Sequence, residues 1–379
     1  MLSALIFALV TCAVATIYIT QPVLPILQAQ FAISASAASL SVSAVIVGMA
    51  ATMLPIGVLV DRYPARRLMA IGACVTAAAG AVCALTPSFA VLIAMRAVQG
   101  AFIPLLTTCV AAWLSRTLPP AALNVAMGTY VSATVAGGLG GRLLAGWAFP
   151  PAHWRYAFLT VGGALLAVTF VVAPKLTDTP RAPTAPASTP LLRVVLRRPQ
   201  MLAQLAAFGA FGAFSTVFNY FPFYLSRPPW SLSTATITAL YLVYVAGLFM
   251  GPFAGRLGNR FGNGVVMIGG SLVLEAALAA TLVVAIPALL ASLIGLCIGF
   301  FTIHAAAVGG LNRSLTGERG KANALYTLFY YVGGAAGIAL GGGLYARLGW
   351  AGIVGASLAL SLLPLGVGMI SLRRPVPAS

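Results

Sequence analysis

Long apolar runs follow one another along almost the whole sequence, and short polar or proline-containing turns separate them. A helix that crosses a lipid bilayer needs about 20 predominantly apolar residues. Each run is near that length, so the pattern predicts twelve membrane-spanning helices. Their predicted ranges are 3–25, 37–60, 68–85, 89–113, 121–147, 156–173, 201–224, 235–257, 265–286, 288–311, 322–346 and 351–372.

The connection between the sixth and seventh runs differs from all the others. Residues 174–200 are rich in proline and carry both signs of charge, without a long apolar run. Such a composition is typical of a linker. We therefore expect an N-terminal six-helix bundle at 1–173, a cytoplasmic linker at 174–200 and a C-terminal six-helix bundle at 201–379.

Composition excludes a soluble protein. Hydrophobic residues make up 61% of the chain and charged residues 7%, whereas an average soluble domain has about 25% charged residues. The five cysteines all lie in apolar runs, with no C-x-x-C pair and no histidine at ligand spacing. We interpret them as small buried hydrophobic residues, and we expect no disulfide, metal or cofactor.

The net charge of +17 comes from 21 basic and 4 acidic residues. With the N-terminus inside, sixteen of the basic residues fall in cytoplasmic segments and three in outer loops. This asymmetry follows the positive-inside rule and predicts that both termini are cytoplasmic. The arginines then face anionic lipid, so no nucleic-acid partner is needed. The first run has no basic region before it, so we interpret it as a membrane helix rather than a cleaved signal peptide.

The two halves of the sequence repeat each other. Gly57 to Arg62 follows the second span, and Gly255 to Arg260 follows the eighth span 198 positions later. The small-residue stripe that begins at Tyr130 in span five returns at Tyr330 in span eleven. Six helices in each half make the repeats parallel, related by an axis along the membrane normal. We therefore predict an all-α membrane protein of twelve helices in two pseudo-twofold-related bundles, with a site near the bilayer midplane.

Three motifs resemble those of the major facilitator superfamily. Residues 57–67 (GVLVDRYPARR) resemble its loop 2–3 signature G-x-x-x-D-R-x-G-R-R, with Pro64 at the usual glycine. Residues 96–100 (RAVQG) resemble its fourth-helix motif. Residues 18–25 (YITQPVLP) resemble the end of helix one in its bacterial drug:proton antiporter and sugar-efflux-like members.

The resemblance implies a conformational latch at the loop signature. It places Asp61 near the start of helix eleven, around Ala322 and Asn323. A carboxylate there accepts hydrogen bonds from free amides and meets the positive helix end, a contact worth about 0.3–1 kcal/mol. The matching residue of the second repeat is Asn259, so its latch lacks the full charge. The predicted latch residues are Gly57, Asp61, Arg62, Arg66 and Arg67.

Hydroxyl, amide and charged side chains inside the spans suggest a substrate pocket. A central pocket with apolar walls uses a few such polar groups, whereas a lipid-facing helix has little use for them. The resemblance adds span ten, which lines the cavity in this superfamily. The predicted substrate-binding residues are Tyr18, Gln21, Arg96, Gln99, Asn219, Tyr220, Tyr224, Tyr244, His304 and Tyr330.

Four ionisable residues within spans leave alternatives open. Arg96 costs about 2.5–3.5 kcal/mol at mid-membrane unless it finds water or a partner. It either faces the cavity or serves as a structural hydrogen-bond hub. Arg142 lies near the outer end of span five, where it can snorkel to the interface. Glu275 and His304 are proton-coupling candidates, against a structural acid and a neutral hydrogen-bonded histidine.

These observations predict a secondary active transporter that works by alternating access. We expect proton-coupled efflux of small apolar or amphipathic compounds by a monomer in a bacterial inner membrane. The alternative is an importer or exchanger of a small organic anion that uses Arg96 and His304. A membrane enzyme is a remote third, because no nucleophile–base pair or phosphate loop is present. No G-x-x-x-x-G-K-[ST] motif occurs, which disfavours an ATP-driven pump.

Overall fold

The computed structural model describes residues 2–149, 153–176, 191–315 and 319–372. All regular structure in these ranges is helical. The α-helices are α1 Leu2–Tyr18, α2 Leu24–Gln30, α3 Ala35–Arg62, α4 Ala65–Leu85, α5 Phe89–Thr117, α6 Pro120–Leu143, α7 Tyr156–Val172, α8 Leu191–Val195, α9 Arg198–Leu225, α10 Thr234–Leu240, α11 Val245–Phe261, α12 Asn263–Ala280, α13 Ile286–Arg313 and α14 Arg319–Leu372.

Among the residues that the structure describes, ten helical segments are long and apolar enough to cross a membrane. Helix α6 covers the fifth predicted span up to Leu143. Helix α14 covers predicted spans eleven and twelve, and it changes direction at Gly349, whose φ of +59° is the left-handed conformation that glycine tolerates. The predicted all-α membrane fold is therefore confirmed.

The chain divides into two compact units. Unit 1 comprises Met1–Pro186 together with Ser231–Leu242, and unit 2 comprises Ala187–Trp230 together with Val243–Ser379. Half of the predicted linker, residues 177–190, lies outside the described residues. Most of the first six predicted spans belong to unit 1 and most of the last six to unit 2, apart from the segment Ser231–Leu242.

Two predicted spans are interrupted rather than continuous. In span one, α1 ends at Tyr18, a 3-10 turn spans Gln21–Val23, and α2 begins at Leu24. Pro22 and Pro25 cause this break, because proline lacks the N–H that an α-helix needs. In span eight, a 3-10 segment at Tyr241–Tyr244 separates α10 from α11.

Two predicted boundaries also move. A π-helical turn at Leu144–Ala148 follows α6 in span five. Span nine was predicted to reach residue 286, but α12 ends at Ala280. The apolar residues after Ala280 form the turn before α13 and made the run look longer than the helix.

The two small-residue stripes bring helices into backbone contact. A Cβ atom at Gly141 of α6 would collide with the carbonyl oxygen of Ala15 in α1. In the same way, a Cβ atom at Gly337 of α14 would collide with the carbonyl oxygen of Gly212 in α9. Each stripe therefore packs the fifth helix of its repeat against the first, as small-xxx-small faces do in membranes.

Candidate functional site

Arg96 of α5 lies at the centre of unit 1, fully buried. Its Nε donates to the carbonyl oxygen of Ser41 at 2.7 Å. Its Nη1 donates to the carbonyl oxygen of Thr16 at 2.7 Å and to Gln99 Oε1 at 2.8 Å, and its Nη2 donates to the carbonyl oxygen of Ile17 at 2.5 Å. The guanidinium thus ties three helices together.

The reason for this arrangement lies in the break after α1. Thr16 and Ile17 belong to its last turn, where carbonyl groups lack helical partners. Arg96 supplies donors to both, and its positive charge suits the negative end of the helix. Gln99 extends the network by donating to the carbonyl oxygen of Thr76 at 3.2 Å. This geometry favours the structural-hub alternative for Arg96.

Arg142 does not snorkel, and that interpretation was wrong. Its side chain is 2% exposed, and its Nε donates to Gln21 Oε1 at 2.6 Å. Its guanidinium carbon lies 4.0 Å from the ring centroid of Tyr18 and 5.1 Å from that of Tyr241. Aromatic rings and amide oxygens can hold a desolvated guanidinium, so it need not reach the interface. Tyr18 and Gln21, predicted to bind substrate, contact Arg142 here.

Unit 2 contains a dense group of aromatic side chains from α9, the 3-10 segment, α13 and α14. We call it the aromatic cluster; its members are Phe211, Phe214, Phe218, Tyr244, Phe300, Phe301, His304, Tyr330 and Tyr331. The rings of Phe211 and Tyr330 stack at 3.7 Å between centroids, and those of Phe214 and Phe300 at 4.1 Å. Three predicted residues, Tyr244, His304 and Tyr330, lie within it.

The aromatic cluster is not buried throughout. Phe301, His304 and Tyr330 are half-buried, whereas Phe214 and Phe300 are buried. His304 Nδ1 shares a 2.9 Å hydrogen bond with the hydroxyl group of Tyr326. The phenylalanines of α9 were missed at the sequence level, although they recur every three or four residues along one helix face.

Asn219 of α9 is a buried amide in unit 2. It is 0% exposed, and neither its Oδ1 nor its Nδ2 has a hydrogen-bond partner among the described residues. Such an orphan costs free energy in an empty protein and calls for a partner. Two nearby residues that were also predicted to bind substrate contact other parts of the protein instead. Tyr220 donates to the carbonyl oxygen of Ile338 at 2.9 Å, and Tyr224 stacks on Trp350.

Glu275 lies on α12, where it packs against α14. Ser361 donates a 3.1 Å hydrogen bond to its Oε1. Glu275 does not belong to the aromatic cluster, so the two proton-coupling candidates, Glu275 and His304, occupy different surroundings.

Matching polar pairs lie at the ends of α3 and α11. Asp61 pairs with Arg116 at 2.5 Å, and both side chains are substantially solvent-exposed. In the second repeat, Asn259 accepts a hydrogen bond from Arg313 at 2.8 Å. Arg116 and Arg313, 197 positions apart, were missed as partners, although the repeat could have revealed them. The other predicted latch arginines, Arg62, Arg66 and Arg67, are exposed.

Comparison with known proteins identifies the family. The family model described as Major Facilitator Superfamily matches residues 6–300 and 230–379. The chain belongs to the major facilitator superfamily. The resemblance drawn from its motifs is thereby confirmed, and this superfamily member is a transporter of small molecules and not an enzyme.

Relatives of this superfamily member cover most of its length. It is 28% identical over 354 residues to the inner membrane transport protein YnfM of Escherichia coli, covering 92% of this chain and 85% of that one. It is 29% identical over 280 residues to a chloramphenicol resistance protein of Streptomyces lividans, covering 71% and 70%.

A solved structure supports the fold. The chain superposes with a TM-score of 0.78 on a bacterial homologue of the human lysosomal transporter Spinster, in an inward-facing and occupied conformation. The two chains are 15% identical, and the match covers 99% of this chain and 98% of that one. At 15% identity, this structural similarity shows a shared fold and nothing about substrate or direction of transport.

Proposed function

We propose that this transporter is a proton-coupled secondary carrier that exports small apolar or amphipathic compounds by alternating access. The observation that carries this proposal is the aromatic cluster, in which Phe301, His304 and Tyr330 are only half-buried. The resistance function in the name of the Streptomyces lividans relative supports efflux.

The aromatic cluster suits a substrate with a planar apolar part. Stacked or edge-on aromatic contacts contribute about 0.5–1.5 kcal/mol each beyond the area that they bury. Tyr244 and Tyr330 would contribute rings, and His304 and Asn219 would contribute hydrogen bonds. We assign the remaining predicted residues to helix positioning, because their polar groups or rings contact other parts of the protein; these are Tyr18, Gln21, Arg96, Gln99, Tyr220 and Tyr224.

The organic-anion alternative depended on a guanidinium that faces the substrate. Arg96 is fully buried and donates to three carbonyl oxygens and one amide oxygen. If Arg96 turned from these carbonyl groups to a substrate anion, it would leave buried hydrogen-bond acceptors unpaired. We therefore do not retain that alternative.

His304 is our first candidate for the proton-binding residue. Its imidazole lies in the aromatic cluster beside the hydroxyl group of Tyr326 and the ring of Tyr330. Histidine is the side chain whose ordinary pKa is nearest to physiological pH. Glu275, hydrogen-bonded to Ser361, is the second candidate.

A paired substitution tests the coupling. We expect His304→Gln to abolish accumulation driven by a pH gradient while substrate still exchanges down its own gradient. Glutamine keeps a hydrogen-bonding side chain but does not titrate near neutral pH. Proteoliposomes with an acidic interior, radiolabelled chloramphenicol as the probe, and an ionophore that collapses the gradient provide the measurement.

Glu275→Gln is the matched control for that experiment and should leave gradient-driven accumulation intact. If Glu275→Gln abolishes accumulation and His304→Gln does not, the proton site lies at Glu275. If the wild-type protein accumulates neither chloramphenicol nor a lipophilic dye in either gradient direction, the efflux proposal is wrong.

We further propose that Asp61 and its neighbours act as a conformational latch at the cytoplasmic face of the inner membrane. An exposed ion pair contributes only about 0–1 kcal/mol to folding. Asp61→Asn should therefore leave the Tm almost unchanged while it slows transport. Asn259→Asp, which adds a charge beside Arg313, is the reciprocal variant. Equal transport rates for wild type and Asp61→Asn would contradict the latch.

A further inference from the structure

Helix α11 meets the aromatic cluster through a glycine in its first turn. Gly247 lies three residues after Tyr244, so the two residues share one face of the helix. Tyr244 packs its ring edge-on against that of Phe214, at 5.4 Å between centroids. A Cβ atom at Gly247 would collide with three atoms of the Phe301 ring. The glycine therefore lets this ring lie directly against the backbone of α11.

The Phe301 ring also has two aromatic neighbours that cannot make room for it. It packs edge-on against Phe300 at 5.0 Å between centroids and against Phe214 at 6.1 Å. Phe300 is 2% exposed and Phe214 is 3% exposed, whereas Phe301 is half-buried. Protein interiors are close-packed, so buried rings do not yield to a neighbour. A methyl group at Gly247 would therefore displace the Phe301 ring into the space that protein atoms leave open around it.

A second glycine contact in the aromatic cluster lacks this freedom. A Cβ atom at Gly334 of α14 would collide with the ring of Phe211. That ring is buried and stacked on Tyr330, so added volume beside it would strain the packing instead of moving the ring. Of these two glycines, Gly247 is the one that faces a movable ring.

We propose that Gly247 is a positioning residue that sets how wide a ring system the aromatic cluster accepts. It acts through Phe301, whose ring it allows to stay back against α11. With glycine at this position, the aromatic cluster accepts compounds with two fused rings as well as single rings. With a side chain at this position, the displaced Phe301 ring occupies the space of the second ring. This inference rests on the proposed binding of aromatic compounds by the aromatic cluster and adds a width limit to it.

Two probes that differ by one ring measure the width limit. They are chloramphenicol and its analogue with a naphthyl group in place of the nitrophenyl group, and calorimetric titration of the purified protein gives both dissociation constants. The wild-type protein should bind the naphthyl analogue at least as tightly as chloramphenicol, because the larger apolar ring buries more surface. Gly247→Ala should weaken binding of the naphthyl analogue roughly five- to fiftyfold, and that of chloramphenicol less than about threefold.

Gly251→Ala is the matched control for Gly247→Ala. It lies about one turn further along α11, and a Cβ atom there would have no described atom within 4 Å beyond its own stretch of helix. Both substitutions add the same methyl group to the same helix, so they share any gain in helix propensity. Gly251→Ala should keep the ratio of the two dissociation constants within about twofold of wild type. Phe301→Ala removes the displaced ring, so Gly247→Ala should have no further effect in that background.

The titrations separate failure of the width limit from failure of the proposed function. If the wild-type protein binds neither probe, the proposed substrate site fails and this inference fails with it. If it binds chloramphenicol but not the naphthyl analogue, or if Gly247→Ala and Gly251→Ala give the same ratio, the width limit is overturned while the site stands. If Gly247→Ala does not fold, Phe301→Ala replaces it. Loss of the ring should then shift the ratio in favour of the naphthyl analogue, and an unchanged ratio overturns the proposal.

Discussion

Arg96→Met should prevent the protein from accumulating as a folded species in membranes. The substitution removes a guanidinium that is fully buried and donates to the carbonyl oxygens of Ser41, Thr16 and Ile17 and to Gln99. Each buried acceptor left without a donor costs about 1–3 kcal/mol. The sum is comparable with the roughly 5–15 kcal/mol that separates folded from unfolded proteins. Size-exclusion profiles of detergent extracts and the Tm of any extracted protein measure this.

Arg116→Met is the matched control for Arg96→Met. Its guanidinium lies in an exposed pair with Asp61, so its loss should lower the Tm by no more than a few degrees. Arg96→Lys should fall between the two, because an ammonium group cannot reproduce the planar fork of donors. A well-folded Arg96→Met protein that fails only in transport would restore Arg96 to the substrate site.

The helical spans were predictable from the sequence because a membrane-spanning helix must satisfy its backbone internally and show apolar side chains to lipid. The interruption of span eight could not be predicted from the sequence. The break in span one has a local cause in Pro22 and Pro25, but Tyr241–Tyr244 contains neither proline nor glycine. It lies where α10 packs on the end of span five, a tertiary contact that no local pattern encodes.

The candidate site was predictable only in part, for a related reason. Polar side chains in an apolar span are conspicuous, so Arg96, Asn219 and His304 could be singled out. Their partners could not, because Arg96 binds backbone carbonyl groups that every residue possesses. Phe211 and Phe300 resemble lipid-facing residues in the sequence, and the structure distinguishes them by stacking them with other rings of the aromatic cluster.

The buried polar groups that were predicted to bind substrate differ in whether their hydrogen bonds are met. Arg96, Gln99 and Tyr220 donate to oxygen atoms of neighbouring helices. Asn219 is equally buried, but neither amide atom has a partner among the described residues. We therefore keep Asn219 as a proposed substrate-binding residue, and its substitution tests that proposal.

Asn219→Leu should stabilise the empty protein and weaken ligand binding. Leucine has the same number and branching of heavy atoms as asparagine and has no polar group to leave unpaired, so the Tm should rise by several degrees as a penalty of about 1–3 kcal/mol disappears. The stabilisation that chloramphenicol gives to the wild-type protein should shrink, because the amide that would bind its polar groups is absent. Thermal unfolding in detergent, with and without chloramphenicol, measures both effects.

Asn312→Leu provides the opposite case for comparison. Asn312 Oδ1 accepts a 2.9 Å hydrogen bond from Asn323, so its replacement breaks a satisfied pair and should lower the Tm. The stabilisation by chloramphenicol should then be unchanged, because Asn312 is not among the residues proposed to bind it. If Asn219→Leu lowers the Tm as Asn312→Leu does, Asn219 is a structural residue, and its proposed role in substrate binding fails.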